Sequence, residues 1–314
     1  GAGGMGEVWL ARHALLRRPT AVKLLPPEKS SRETVARFER EVQLTARLSH
    51  PNTISIYDYG HTPDGVFYYA MEYLHGVPLG DLVRNTGPMS SARAIHVLKQ
   101  VTGSLYEAHK HGMVHRDVKP ANIMLCENGG LLDFVKVLDF GLVKDFAGGD
   151  EGAKLSQSGV ITGTPMYIAP EIVTGDFTVG PASDIYALAC VGYYLVSGHP
   201  VFDCTNAVDH LVAHAKEVPQ PPSTKTENPI DPDLEDLLMS CLAKDPAKRP
   251  TTMRVFHDEL DALTSGRAWG QGEARDWWEV HGARIETQVE LPETDGQLSA
   301  AQMDIAITGR SKAD

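Results

Sequence analysis

The chain has 314 residues with 29 basic and 41 acidic side chains, a formal net charge of −12. Its 42% hydrophobic and 22% charged content suits a folded protein and excludes a disordered one. An acidic balance without any Lys/Arg cluster argues against a nucleic-acid or anionic-membrane binder.

In chain order, two short strand-like runs come first, Val8–Ala11 and Thr20–Leu25. Ser31 to Leu48 switches to helical spacing, with Phe38, Val42 and Thr45 on one stripe. Two further strand-like runs, Thr53–Tyr59 and Val66–Met71, flank the turn Thr62-Pro63-Asp64-Gly65. After Gly76-Val77-Pro78 the pattern turns helical: Ser90 to His111, with Ser90 or Ser91 near its N-cap, then Ala182–Val196, Val208–Lys216, Leu234–Ala243 and Thr252–Thr264. The segments 112–135 and 142–168 read as irregular and too long for plain connections, hence functional. A small β-rich part joined to a larger helical part favours a ligand cleft between them.

The longest apolar stretch, Ile185 to Val196, is short of the ~20 residues a bilayer span needs, so no membrane crossing is expected in this segment. Cys126, Cys190, Cys204 and Cys241 are scattered without a CxxC pair, which reads as reduced thiols in the cytoplasm. Residue 1 is Gly with no signal-peptide pattern after it, so a fragment or trimmed chain is expected.

Gly1-Ala2-Gly3-Gly4-Met5-Gly6 fits G-x-G-x-x-G but leads into a strand, not a helix. Glycines entering a strand suit a hairpin laid over phosphates, since only Gly lets the backbone approach so closely. Ala21-Val22-Lys23 ends a strand-like run with a cation within reach of such phosphates, and Glu41 on the helix flank can hold its ammonium. His115-Arg116-Asp117-Val118-Lys119-Pro120-Ala121-Asn122 packs a carboxylate, a Lys and a carboxamide into one loop, and Asp139-Phe140-Gly141 follows shortly after. A base, a cation and two hard oxygen ligands are what phosphoryl transfer requires. His109, His111 and His115 do not read as a metal site: His115 is a packed loop residue, His109 ends a helix, and no nearby carboxylate or Cys completes a shell around His111. Trp277-Trp278 reads as the packing face of a short helix.

Over about residues 1–263 these motifs, with Ala169-Pro170-Glu171, Asp184-Ile185-Tyr186-Ala187-Leu188 and Asp245-Pro246-Ala247-Lys248-Arg249-Pro250 in order, resemble the bacterial eukaryotic-like (Hanks-type) serine/threonine protein kinases. The resemblance implies an α+β, bilobal protein-kinase fold. Its small β-rich N-lobe would cover about 1–73 and its larger helical C-lobe about 74–263, followed by a polar tail, 264–314, with a short helix at 273–285. Gly1, Gly3 and Gly6 would cover the phosphates of ATP, with Val8, Ala21 and Met124 against the adenine. Met71 would be the gatekeeper, with Glu72 and Leu74 in the hinge. Lys23, held by Glu41, would bind the α- and β-phosphates. Asp117 would accept the substrate proton, Lys119 would neutralise the γ-phosphate, and Asn122 with Asp139 would hold Mg²⁺ or Mn²⁺.

Lys119 after the base and Thr164 in Gly163-Thr164-Pro165 resemble the Ser/Thr rather than the tyrosine kinases. The expected substrates are therefore Ser and Thr hydroxyls of proteins. Arg116 faces the loop 142–168, where Ser156, Ser158 and Thr162 are candidate sites of autophosphorylation, in trans through self-association. The strand that precedes the glycine loop in the family is missing, which is expected to weaken nucleotide binding. Thr45 replaces a larger apolar residue and is expected to loosen its helix. The alternatives are a pseudokinase scaffold, opposed by the presence of Lys23, Asp117 and Asp139, and a small-molecule kinase, opposed by the Ala-Pro-Glu and Asp184 segments. The full-length protein is expected to sit in the cytoplasm, tethered to a membrane where a further segment supplies the anchor.

Overall fold

A computed structural model describes residues 2–3, 6–13, 15–25, 32–63, 65–140, 165–175, 179–263 and 268–286. The first unit is an antiparallel sheet of β1 (Ala2–Gly3), β2 (Gly6–Arg12), β3 (Pro19–Leu24), β4 (Ile56–His61) and β5 (Phe67–Glu72), in the order β1-β2-β3-β5-β4. Helix α1 (Arg32–Thr45) lies against it. Phe38 and Val42 from α1 meet Leu25, Phe67 and Tyr69 in a small core, as the helical stripe and the strand alternation require. Ahead of β2, Ala2 pairs with Glu7 and Gly3 with Gly6. Beyond them β2 pairs with β3 alone among the described residues. Thr45 is buried and its hydroxyl donates to the Glu41 carbonyl at 2.9 Å, so its polar group is satisfied within the helix.

The second unit begins with β6 (Gly76–Pro78), α2 (Leu79–Thr86) and α3 (Ser91–Lys110). Ser90 caps α3, its hydroxyl accepting from Arg93 N. The segment 112–135 is not irregular throughout. It contains β7 (Ile123–Asn128) and the start of β8 (Leu131–Val137), a hairpin turned at Gly129-Gly130. The remaining helices are α4 (Pro170–Thr174), α5 (Pro181–Ser197), α6 (Ala207–Lys216), α7 (Pro232–Cys241), α8 (Met253–Ala262) and α9 (Gln271–Glu286).

Helix α5 is apolar all round and buried along nearly its whole length, which makes it the axis of the larger core. The segment after α1 ties the units together. Asn52 O accepts from Val137 N at 2.8 Å, and Ile54 N donates to Val137 O at 3.0 Å. The residues 53–55, expected as strand, are spent on this junction, and β4 starts later. No helix among the described residues is long and apolar enough to cross a membrane.

Helix α9 packs on α2 and β8 through a polar centre. Arg93 and Asp133, 2% and 1% exposed, form a two-pronged ion pair with both contacts at 2.8 Å. Trp269 Nε1 and Trp278 Nε1 donate to the two Asp133 oxygens at 2.8 and 2.7 Å. The Trp277 ring lies 3.6 Å from the Arg93 guanidinium carbon. Gln271 brackets the Leu132 peptide, accepting from its N–H and donating to its carbonyl.

Candidate active site

Strand alternation puts Ala21 and Lys23 on one face of β3, where both are buried. Lys23 Nζ donates to Asp139 Oδ2 at 2.7 Å, and the Tyr69 hydroxyl donates to Asp139 Oδ1 at 3.0 Å. By register Val8 faces Lys23 across β2 and β3, and Ala21 faces Met71 across β3 and β5. Glu72 turns its carboxylate away to Lys136 Nζ and Ser55 N, each at 2.7 Å. Leu74 follows half-buried between β5 and β6, and Met124 comes from β7 of the other unit. Glu41 stands half-buried on α1.

The loop 113–122 is held from below by one buried carboxylate. Asp184 on α5 accepts from His115 N at 2.8 Å and Arg116 N at 2.9 Å, and it meets His109 Nε2 at 2.8 Å. His115 itself is buried against Phe140, with ring centroids 4.7 Å apart, and contacts the Leu138 carbonyl at 2.9 Å. These bonds hold Arg116 at φ 63, a left-handed conformation that few non-Gly residues adopt. Lys119 Nζ and Asn122 Nδ2 both donate to Asp117 Oδ2, at 2.8 and 2.9 Å, and Asn122 Nδ2 also reaches the Asp117 carbonyl.

The β7–β8 hairpin explains why residues 17 apart in sequence share a site. Ile123 pairs with Val137, and Leu138 N donates to Asn122 O at 2.9 Å, so Asn122 and Asp139 emerge at the same open end. With its amide nitrogen engaged by Asp117, Asn122 turns its amide oxygen elsewhere. A carboxamide oxygen and a carboxylate are hard donors that suit Mg²⁺ or Mn²⁺, and a cation, the Lys23 ammonium, already lies on Asp139 Oδ2. No three His, Cys, Asp or Glu side chains converge on a metal site among the described residues, so a cation here would draw further ligands from a bound phosphate.

The site is braced on its outer side by Glu171 at the start of α4. Arg249 donates to both Glu171 oxygens at 2.9 Å, and Ser183 Oγ donates at 2.7 Å. Burial works against ionisation of Glu171, yet the Arg249 bonds and charge hold its carboxyl below the usual range. Gly3 and Gly6 face each other in the β1–β2 hairpin. Gly1, Gly141, Thr164, Ser156, Ser158 and Thr162 lie outside the described residues.

Sequence reading missed Tyr69. The available signal was a hydroxyl on the inward face of a strand, between Phe67 and Met71, which needs a partner when buried. Asp184 was read only as part of a motif, and its support of the loop is a non-local contact.

The sequence matches the family model described as protein kinase domain over residues 1–260. Serine/threonine-protein kinase pkn3 of Myxococcus xanthus is 39% identical over 269 residues, 85% of this chain and 49% of pkn3. Serine/threonine-protein kinase PknB of Mycobacterium tuberculosis is 39% identical over 270 residues, 85% of this chain and 42% of PknB. The chain therefore spans about half or less of the length of these curated relatives. Among solved structures, the Mycobacterium tuberculosis PknI kinase domain is similar with a TM-score of 0.63 and 29% identity, covering 84% of this chain and 93% of that one.

Proposed function

The chain belongs to the protein kinase family, as a serine/threonine kinase domain of the bacterial type, and from that premise we propose how its residues divide phosphoryl transfer. The observation that carries the proposal is a pair of clusters, Lys23 with Asp139 and Asp117 with Lys119 and Asn122, brought side by side by the bond from Leu138 N to Asn122 O. The nucleotide is ATP. Its phosphates would lie under Gly1, Gly3 and Gly6, with Lys23, steadied by Glu41, on the α- and β-phosphates. Its adenine would lie between Val8, Ala21 and Met124, with Met71 behind and the backbone of Glu72 to Leu74 at its edge.

Asp117 would accept the proton of a substrate Ser or Thr hydroxyl, with Lys119 and Asn122 fixing the plane of its carboxylate. The hydroxyl oxygen forms a bond to the γ-phosphorus as the bond to the βγ-bridging oxygen breaks, and ADP leaves. Lys119 and Lys23 offset the charge on the phosphoryl oxygens throughout, so the protein supplies position and field rather than covalent chemistry. Asn122 and Asp139 would hold a divalent cation, Mg²⁺ or Mn²⁺, which when bound neutralises charge on the β- and γ-phosphates. Thr164 would steady Asp117 and Lys119 from the following loop.

Self-association for trans-autophosphorylation at Ser156, Ser158 or Thr162 belongs to the same proposal, as do protein substrates and a cytoplasmic location. The location is supported by four free cysteines, of which Cys126 and Cys241 are pushed up to about 12 by burial and so stay unreactive thiols.

Radiolabelled ATP with a generic protein substrate tests the assignment. Asp117→Asn is expected to lose on the order of 10²–10⁴ in rate with ATP binding retained, and wild-type product is expected to carry phosphoserine or phosphothreonine. Equal incorporation by both proteins, or mainly phosphotyrosine, overturns it.

A further inference from the structure

Tyr69 and Lys23 are direct partners on adjacent strands, and the Lys23 ammonium lies 6.0 Å from the Tyr69 ring centroid. Between them they divide one carboxylate: Tyr69 holds Asp139 Oδ1 at 3.0 Å and Lys23 holds Oδ2 at 2.7 Å. The two donors differ in freedom. A lysine ammonium rides on a flexible four-carbon stem and can turn to another anion. The Tyr69 ring is packed with Phe67 and Phe38 in the small core, so its hydroxyl is delivered to the cleft on a rigid arm.

Asp139 also needs outside support. Its φ of 52 is a left-handed conformation that few non-Gly residues adopt. We propose that Tyr69 is a positioning residue of the cation site, holding Asp139 Oδ1 so that Oδ2 faces the divalent ion once Lys23 turns to the nucleotide phosphates. This rests on the reading of Asp139 given above. Hydrogen-bond partners of ligating carboxylates set ligand orientation, and their loss costs about 10–100-fold in metal affinity or activity.

The test is Mn²⁺ binding, followed by electron paramagnetic resonance, to the full chain carrying the non-hydrolysable nucleotide AMP-PNP. Affinities are normalised to the sites that bind AMP-PNP in EDTA, so misfolded protein does not count. Tyr69→Phe is expected to weaken Mn²⁺ about 10–100-fold while metal-free AMP-PNP binding is unchanged. In an Asp139→Asn background the same substitution is expected to add nothing. Mn²⁺ affinity that is unchanged or tighter in Tyr69→Phe overturns the role of Tyr69. If Asp139→Asn binds Mn²⁺ as wild type does, the cation-site reading itself falls.

Discussion

Asp184 is 1% exposed and satisfies two consecutive peptide N–H groups of the loop that carries Asp117. Asp184→Ala would leave the buried His115 N–H without an acceptor and the partly buried Arg116 N–H to water. The unsatisfied buried group alone costs about 1–3 kcal/mol. Urea unfolding is expected to show it, together with a fall in phosphoryl transfer larger than the fall in ATP binding. At this scale the sequence was most legible where chemistry needs a fixed order of side chains: Lys23, Asp117, Lys119, Asn122 and Asp139 stand in compact motifs. Tyr69 was hidden because a tyrosine in a strand reads equally well as plain core. Only the register of β3 against β5 sets it beside Lys23.

Helix α9 shows the same division among elements. Its periodicity and its tryptophan pair were readable, but its seat was not, since Arg93, Asp133 and Trp278 come from widely separated places in the chain. The interaction is a desolvated cation over an aromatic face with both carboxylate oxygens also capped by indole N–H groups. Trp277→Ala is expected to cost about 2 kcal/mol or more from the lost cation–π contact, read as a lower midpoint in chemical denaturation. Trp277→Phe is expected to recover part of it. The β7–β8 hairpin, by contrast, was legible and was read past. Gly129 and Gly130 both have positive φ, at 59 and 83, as a two-residue turn between twisted strands demands. Alternation in Ile123–Cys126 flanks that turn on one side and Leu131–Val137 on the other, and this hairpin brings Asn122 to Asp139.

At the scale of the molecule, acid is expected to act through the core beneath α6. His214 is buried, with Nδ1 paired to the Tyr186 hydroxyl at 2.9 Å. Burial first, and the neighbouring Lys244 charge second, push its pKa down to about 3 from an ordinary 6.5. Between those values the unfolded chain holds a proton that the folded chain refuses, so stability falls as pH drops from about 6.5 toward 3. His214→Gln keeps an acceptor for Tyr186 and is expected to flatten the profile, so its deficit against wild type at pH 7 shrinks at pH 5 in paired thermal melts. The two-unit architecture itself was readable from the change of period after Gly76. The junction at 52–54 was not, because strand propensity there is spent on pairing with β8.

The tryptophans have one more consequence. The chain has four, and three of them, Trp269, Trp277 and Trp278, lie at the seat of α9, while Trp9 is 56% exposed on β2. Intrinsic emission of this protein is therefore a nearly private optical channel for α9. Fluorescence and far-ultraviolet dichroism followed in the same titration would separate release of that helix from loss of the fold beneath it.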